Sequence, residues 1–271
     1  MSVEAPQARN PAVAGLFYPS DPGQLRCLVD RLLDEAEPGA TGPPRALIVP
    51  HAGYRYSGPT AACAYALLRL HSDRYRKVMV LGPSHSDAFG GVALPEASAF
   101  SGPLGEVPVD ERMRAAAGQV AGVVRSDRPH LAEHSLEVQF PFLTAVLAPG
   151  FSVLPVLSGD EDDVPGASLI DRLLDEDPDT LIVISSDLSH YLPYERARRR
   201  DTKTAESIER GRPEGLGPGS ACGRTAIAAL LRVSGRRGWA CRRLDLRSSG
   251  DTEGDRERVV GYGAFVFLSG F

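Results

Sequence analysis

Four short runs narrow the fold more than any other feature, because they are apolar at nearly every position instead of every second one. They are Ala46-Leu47-Ile48-Val49, Val78-Met79-Val80-Leu81, the segment 151–157, and Leu181-Ile182-Val183-Ile184. A strand with one wet face alternates; a strand apolar throughout needs cover on both faces, as in a parallel sheet between helices. The intervening segments carry helical spacing. Asp21 can cap a helix with Pro22 just inside it, and Leu25, Leu28, Val29, Leu32 and Leu33 then share one face. The Pro/Gly cluster at 38–44 stops this helix. Further helices are expected over about 59–70, 109–119, 164–175, 193–210 and 221–233. Another opens within 133–140, where Pro141 kinks or restarts it. A short strand at 91–94 and two alternating strands at 239–248 and 258–268 complete the pattern. The expected fold is therefore α/β and three-layered, with a mainly parallel or mixed central sheet and helices on both faces. No repeat or linker divides the 271 residues, so one domain over 1–271 is expected.

Composition removes several classes of function. A net charge of −5 with no dominant basic tract gives nucleic acid no footing. Cys27, Cys63, Cys222 and Cys241 are scattered without a CxxC pair, which argues against a disulfide framework or zinc knuckle. Residues 1–11 lack a basic segment followed by an apolar run, and no stretch approaches the roughly 20 apolar residues of a membrane span. A cytoplasmic protein with no membrane association is expected. Glycine-rich dinucleotide and phosphate loops are missing, as are the Gly-x-Ser-x-Gly elbow and the His-Glu-x-x-His helix.

What the apolar runs end in is more informative. The first is followed by Pro50 and His51, the second by Gly82-Pro83-Ser84-His85, and the fourth by Ser185-Ser186-Asp187-Leu188-Ser189-His190. Parallel strands share a carboxyl edge, so these side chains can converge there. Imidazoles suit zinc, iron or copper, and two of them with an anion suit Fe(II). Cys222, near the start of an expected helix, can supply that anion if the helix end lowers its thiol pKa; it can equally be a small core residue. Within the Asp187/His190 pair, one member can orient a partner while the other acts as acid or base. Glu133 and His134 can be part of a site or merely acidic and polar complements to a helix start. Tyr54 and Tyr56 can line a pocket or cover the sheet edge. His71 reads as a helix C-terminal partner, and His130 as structural.

These motifs, in this order, resemble the Memo family. The stretches carrying the likeness are Ala14-Gly15-Leu16-Phe17-Tyr18-Pro19, Val49-Pro50-His51-Ala52-Gly53-Tyr54, Leu81-Gly82-Pro83-Ser84-His85 and Glu133-His134-Ser135-Leu136-Glu137-Val138-Gln139. Three more follow: Ser185-Ser186-Asp187-Leu188-Ser189-His190, Ala221-Cys222-Gly223-Arg224 and Val260-Gly261-Tyr262-Gly263. The resemblance implies a fold like that of the catalytic subunit of class III extradiol ring-cleavage dioxygenases. It also implies a metal site at His51, His85 and Cys222, with Asp187 and His190 beside it as acid–base residues. Tyr54, Tyr56, His134 and Glu137 are candidate pocket residues. Fe(II) or copper is the implied cofactor, with zinc a further candidate. In prokaryotes the family is the B component of the AmmeMemoRadiSam system, so AMMECR-type and radical-SAM proteins are implied partners. Where the dioxygenases use a glutamate, this chain has Cys222, and a soft thiolate moves the expectation from ring cleavage toward iron or copper redox chemistry. Two other readings stand beside it. One is a non-catalytic module that uses the cleft for a peptide or protein; the other is hydrolysis by zinc-bound water.

Overall fold

The apolar runs become the centre of a mixed sheet. The computed structural model describes residues 7–37, 39, 42–159 and 162–270. Residues 1–6 of the expected lead-in, and 38, 40 and 41 of the Pro/Gly cluster, lie outside the described residues. In chain order the elements are α1 (Pro22–Glu35), β1 (Ala46–Val49), α2 (Tyr54–Tyr65), β2 (Lys77–Pro83), β3 (Val92–Leu94), β4 (Ala99–Gly102) and β5 (Gly105–Pro108). Then come α3 (Glu111–Ala117), β6 (Val123–Arg125), α4 (Phe140–Val146), β7 (Ser152–Ser158), α5 (Val164–Glu176), β8 (Leu181–Ser185) and β9 (His190–Leu192). The chain closes with α6 (Tyr194–Glu209), α7 (Arg224–Arg237), β10 (Trp239–Ser248) and β11 (Val259–Ser269).

The main sheet runs β10-β11-β1-β8-β2-β7-β3-β6, with β9 also paired to β11. Strands β1, β8, β2 and β7 are mutually parallel, while β11 and β3 join them antiparallel on either side. Period-two burial explains the continuous apolar runs. Leu47, Val49, Leu181 and Val183 face one core, beside α1, α2 and α4. Ala46, Ile48, Ile182 and Ile184 face the opposite core, beside α5, α6 and α7. All eight are fully buried, and each large side chain contributes roughly 1.5–3 kcal/mol on leaving water. The expected three-layer α/β architecture is the observed one.

The strand order also positions the site. The chain crosses from β1 to β2 and leaves a gap that β8 later fills. The segments following β1, β8 and β2 therefore leave the same sheet edge side by side. They carry His51, Asp187 and His85.

Two boundaries differ from expectation for identifiable reasons. Helix α2 begins at Tyr54, not near Pro59, with Pro59 inside it. One lost backbone bond at Pro59 is outweighed by burial of Tyr54, whose ring packs on Tyr18 and Phe142. Helix α7 begins at Arg224, so Cys222 lies in the turn before it. The β4–β5 hairpin, β6 and β9 are too short to announce themselves in the sequence. Among the described residues no helix is long and apolar enough to cross a membrane.

Candidate metal centre

His51 is the most enclosed of the strand-end residues, about 1% exposed. Parallel pairing sets Val49 beside Ser185, which brings the Ser185 hydroxyl under the imidazole. Ser185 Oγ donates its only proton to the Ser135 carbonyl. The Gln139 amide, its orientation set by donation to the Pro50 carbonyl (3.0 Å), also donates to Ser185 Oγ at 2.7 Å. Ser185 can therefore only accept from His51 Nδ1, 2.9 Å away. This network assigns the proton to Nδ1 and the lone pair to Nε2, which lies 3.3 Å from Cys222 Sγ. Burial, then the neighbouring His134 and His85, hold the His51 pKa well below the usual histidine range, so the ring is neutral at pH 7.

His85 sits in a wetter place, with 34% of its side chain exposed. Its partner is a buried carboxylate. Glu133 Oε1 accepts from His85 Nδ1 at 2.9 Å, and Oε2 from the His85 backbone amide at 2.6 Å. Oε1 also accepts the amides of His134 and Ser135, both at 2.8 Å. Burial alone would raise the Glu133 pKa, but the bonds from the His85 ring and amide outweigh it and hold it near about 2. An ionised carboxylate only accepts, so Glu133 fixes a proton on His85 Nδ1, and the neutral form of the ring has its lone pair on Nε2.

Cys222 completes the group. Its turn passes so close to β8 that a Cβ on Gly223 would lie 2.8 Å from the Ser186 Cβ, which requires glycine there. The Asp187 amide points at the sulfur from 3.3 Å. The expectation of a thiol pKa lowered by a helix end is overturned. Burial, then the Asp187 charge, push it up to about 12. One donor atom each from His51, His85 and Cys222 lie within 4.8 Å of one another. Two imidazoles and a soft thiol are a donor set suited to iron, copper or zinc once the donor nitrogens and the sulfur are free of protons.

The remaining expected residues divide. His190 borders the cleft, and its Nδ1 donates to the Leu188 carbonyl at 2.9 Å, which leaves Nε2 as the basic nitrogen. The pairing of Asp187 with His190 expected from their spacing is not formed; Asp187 Oδ1 accepts the His51 amide at 2.8 Å. Burial raises the Asp187 pKa to about 6 even against that bond. His134 stacks on His85 with centroids 4.8 Å apart, and Tyr54 and Tyr56 border the same cleft of about 1470 Å³. Glu137 is a correction: it faces away from this cleft. Arg9, the amides of Ala12 and Val13, and the Tyr18 hydroxyl all bond its carboxylate. It tethers the N-terminal segment to the sheet edge.

With this geometry described, comparison with known proteins is direct. Residues 9–266 match the family model described as Memo-like protein. The chain belongs to the Memo family. A MEMO1 family protein of Methanopyrus kandleri is 34% identical over 97% of this chain and 99% of its own length. One from Aquifex aeolicus is 36% identical over 97% of this chain and 100% of its own. Among solved structures, an uncharacterized protein from Escherichia coli K12 superposes with a TM-score of 0.51. That likeness covers 80% of this chain and 98% of the other at 11% identity, and it bears on fold alone.

Four supporting residues of this Memo chain were not singled out from sequence: Ser185, Gln139, Asp201 and Arg9. The first two set the His51 tautomer. Asp201, buried on α6, accepts the Ser189 amide at 3.0 Å and so shapes the turn to His190. A Cβ on Gly261 would lie 2.0 Å from Asp201 Oδ2, which accounts for the glycine in Val260-Gly261-Tyr262-Gly263. Arg9 grips the Glu133 and His130 carbonyls and the Glu137 carboxylate. For Ser185 and Gln139 the available signal was a polar residue inside a motif-dense stretch; Asp201, in a strongly charged helix, and Arg9, in a polar segment, carried none.

Proposed function

We propose that this Memo-family chain is a metal-dependent redox protein. In this reading His51, His85 and Cys222 hold iron or copper at the floor of the cleft, and His190 moves protons at the substrate. The observation that carries it is the convergence of the three donor atoms within 4.8 Å, with Nδ1 of each imidazole engaged elsewhere, by Ser185 and by Glu133. Charge supports it as well. Glu133 and Asp187 are carboxylates at most 4% exposed beside an acidifiable thiol, and buried negative charge calls for a cation close by. Arg9, the buried arginine nearest this region, spends its guanidinium on Glu137 and on backbone carbonyls.

A transition metal bound there supplies redox and Lewis-acid chemistry. The chain's own residues do the rest. Ser185 and Glu133 orient the two imidazoles, and the Asp187 amide stabilises the Cys222 sulfur as an anion. His190, through Nε2, can take a proton from a substrate hydroxyl or amine in the cleft and return it later. The cleft is larger than the roughly 300–1,000 Å³ common for small-molecule pockets, so it has room for a substrate well beyond a diatomic gas.

The test is metal analysis of protein purified without a chelating tag, followed by anaerobic reconstitution with Fe(II) or Cu(I) and exposure to oxygen. The expected result is close to one equivalent of metal and a change in visible absorption on oxygenation. Less than about a tenth of an equivalent, with no uptake of either ion, overturns the reading. Tight zinc binding with no oxygen-dependent spectrum favours zinc-assisted hydrolysis instead.

A further inference from the structure

We propose that Glu133 is a positioning residue for this centre: its carboxylate locks His85 in the Nδ1–H tautomer and directs Nε2 toward the point shared with His51 Nε2 and Cys222 Sγ. The metal-binding half of this inference rests on the proposed function above. The tautomer half does not.

The geometry points to Glu133 because its grip on His85 has two points. One oxygen holds the ring at Nδ1 and the other the backbone amide of the same residue. Ring and main chain are therefore fixed relative to each other: a ring flip would replace the N–H with a C–H, and a change of tautomer would set a lone pair against a carboxylate oxygen. The amides of His134 and Ser135 occupy further acceptor positions. Three of these four donors fall on Oε1 and one on Oε2, so most of the carboxylate's acceptor capacity is spent on positioning His85 and its own segment. The neighbouring group of His85, Glu133 and His134, also within 4.8 Å of one another, shares His85 with the first group.

The carboxylate is itself held from behind. Arg9 bonds the Glu133 carbonyl and pairs with Glu137 one helical turn on, without touching the Glu133 carboxylate. Ser135 Oγ donates to the Pro83 carbonyl at 2.8 Å, tying this segment to the end of β2. Among His51, His85 and Cys222, the Glu133 carboxylate hydrogen-bonds only His85, although its charge also acts on His51. A carboxylate behind a ligating imidazole fixes its orientation and raises its basicity, and losing one typically costs 10–100-fold in metal affinity. His51 is backed by the neutral Ser185 hydroxyl, with no carboxylate hydrogen-bonded to its ring. The two histidines are thus unequal donors, with His85 the stronger.

Three full-length proteins test this: wild type, Glu133→Gln, and Ser135→Ala as a control that disturbs the same segment but keeps the carboxylate. In metal-free protein labelled with ¹⁵N-histidine, assigned with a His85→Gln variant, wild-type His85 is expected as the Nδ1–H tautomer. Glu133→Gln should shift it toward Nε2–H. Co(II) titration against a competing chelator should then show affinity 10–100-fold weaker for Glu133→Gln and within about threefold of wild type for Ser135→Ala. The reduction potential of a copper-loaded sample should rise in Glu133→Gln, since removing a negative charge disfavours Cu(II) over Cu(I). Wild-type His85 found as Nε2–H overturns the proposal. So does Glu133→Gln with unchanged tautomer and affinity, or an equal affinity loss in Ser135→Ala. Wild type that binds no Co(II), Fe(II) or Cu(I) overturns the metal-centre reading and the affinity half with it; the tautomer measurement then decides the other half by itself.

Discussion

The two histidine walls of the cleft are built differently. His51 stands on the sheet: it follows β1 by two residues, is about 1% exposed, and rests on Ser185, the last residue of the neighbouring strand. Its partner is neutral and its position comes from strand register. His85 follows β2 by the same two residues, yet a third of its side chain is exposed. Its partner is an anion delivered by the irregular segment 131–136, and that segment is pinned in turn by Arg9 from the N-terminus. One histidine is thus held by the core and the other by long-range polar contacts. The difference teaches that stability and ligand quality are separable here. Disturbing the His51 wall should cost folding energy, whereas disturbing the His85 wall should chiefly cost binding.

Cys222, which meets His51 across the floor, should show the largest effect. Cys222→Ser removes the soft anionic donor, and structural metal sites imply roughly 3 kcal/mol or more per donor, a loss of roughly a hundredfold or more in affinity. Competition titration with Cu(I) checks it, and a loss under about threefold would exclude the thiolate as a ligand. Next comes Ser185→Ala, which strips His51 Nδ1–H and the Gln139 amide of a buried acceptor. It should destabilise the metal-free protein by about 1–3 kcal/mol, read as a lower urea midpoint at unchanged slope. If His85→Ala destabilises equally, the two walls are not distinguished as described.

The pH dependence follows from the thiol. Cys222 has a pKa raised to about 12 and is protonated near neutrality, while His51, with its pKa lowered, is already neutral. Binding as thiolate releases one proton, so affinity should rise about tenfold per unit from pH 7 to 9, or about 1.4 kcal/mol per unit. A flat profile would remove Cys222 from the donor set. The smallest effect concerns Tyr191, next to His190. At φ 56° it is the non-glycine residue with positive φ among those described, and its side chain is largely exposed. Tyr191→Gly should be more stable than Tyr191→Ala by about 1 kcal/mol, because only glycine enters the left-handed region freely. Thermal melts of the two variants test whether the backbone of β9 is strained at this residue, as its φ indicates.

How much could be read in advance varies by residue, with physical cause. His51, His85 and Asp187 follow apolar runs that could only be covered strands, so their shared edge was foreseeable. Glu133 was not placed: beside a helix start, an acidic residue has a sufficient local explanation, and its actual partner His85 lies 48 positions away. Glu137 was a candidate pocket residue, yet its partners Arg9, Ala12, Val13 and Tyr18 are drawn from the N-terminal segment. The start of α2 was missed because a proline penalty is local whereas burial of Tyr54 is tertiary.

The sequence by itself determined the layered α/β class, the sheet edge where function gathers, and the family. Each of these is written in short-range pattern: apolar runs, turn residues and ordered motifs. Only the tertiary structure decided which ring nitrogen each histidine presents, that the Cys222 thiol is raised and not lowered, and that Asp187 serves His51 instead of His190. Protonation and pairing depend on burial and on partners far away in the chain, and neither is a local property. The histidine on the first strand's end was legible; the serine beneath it, which decides what that histidine can bind, was not.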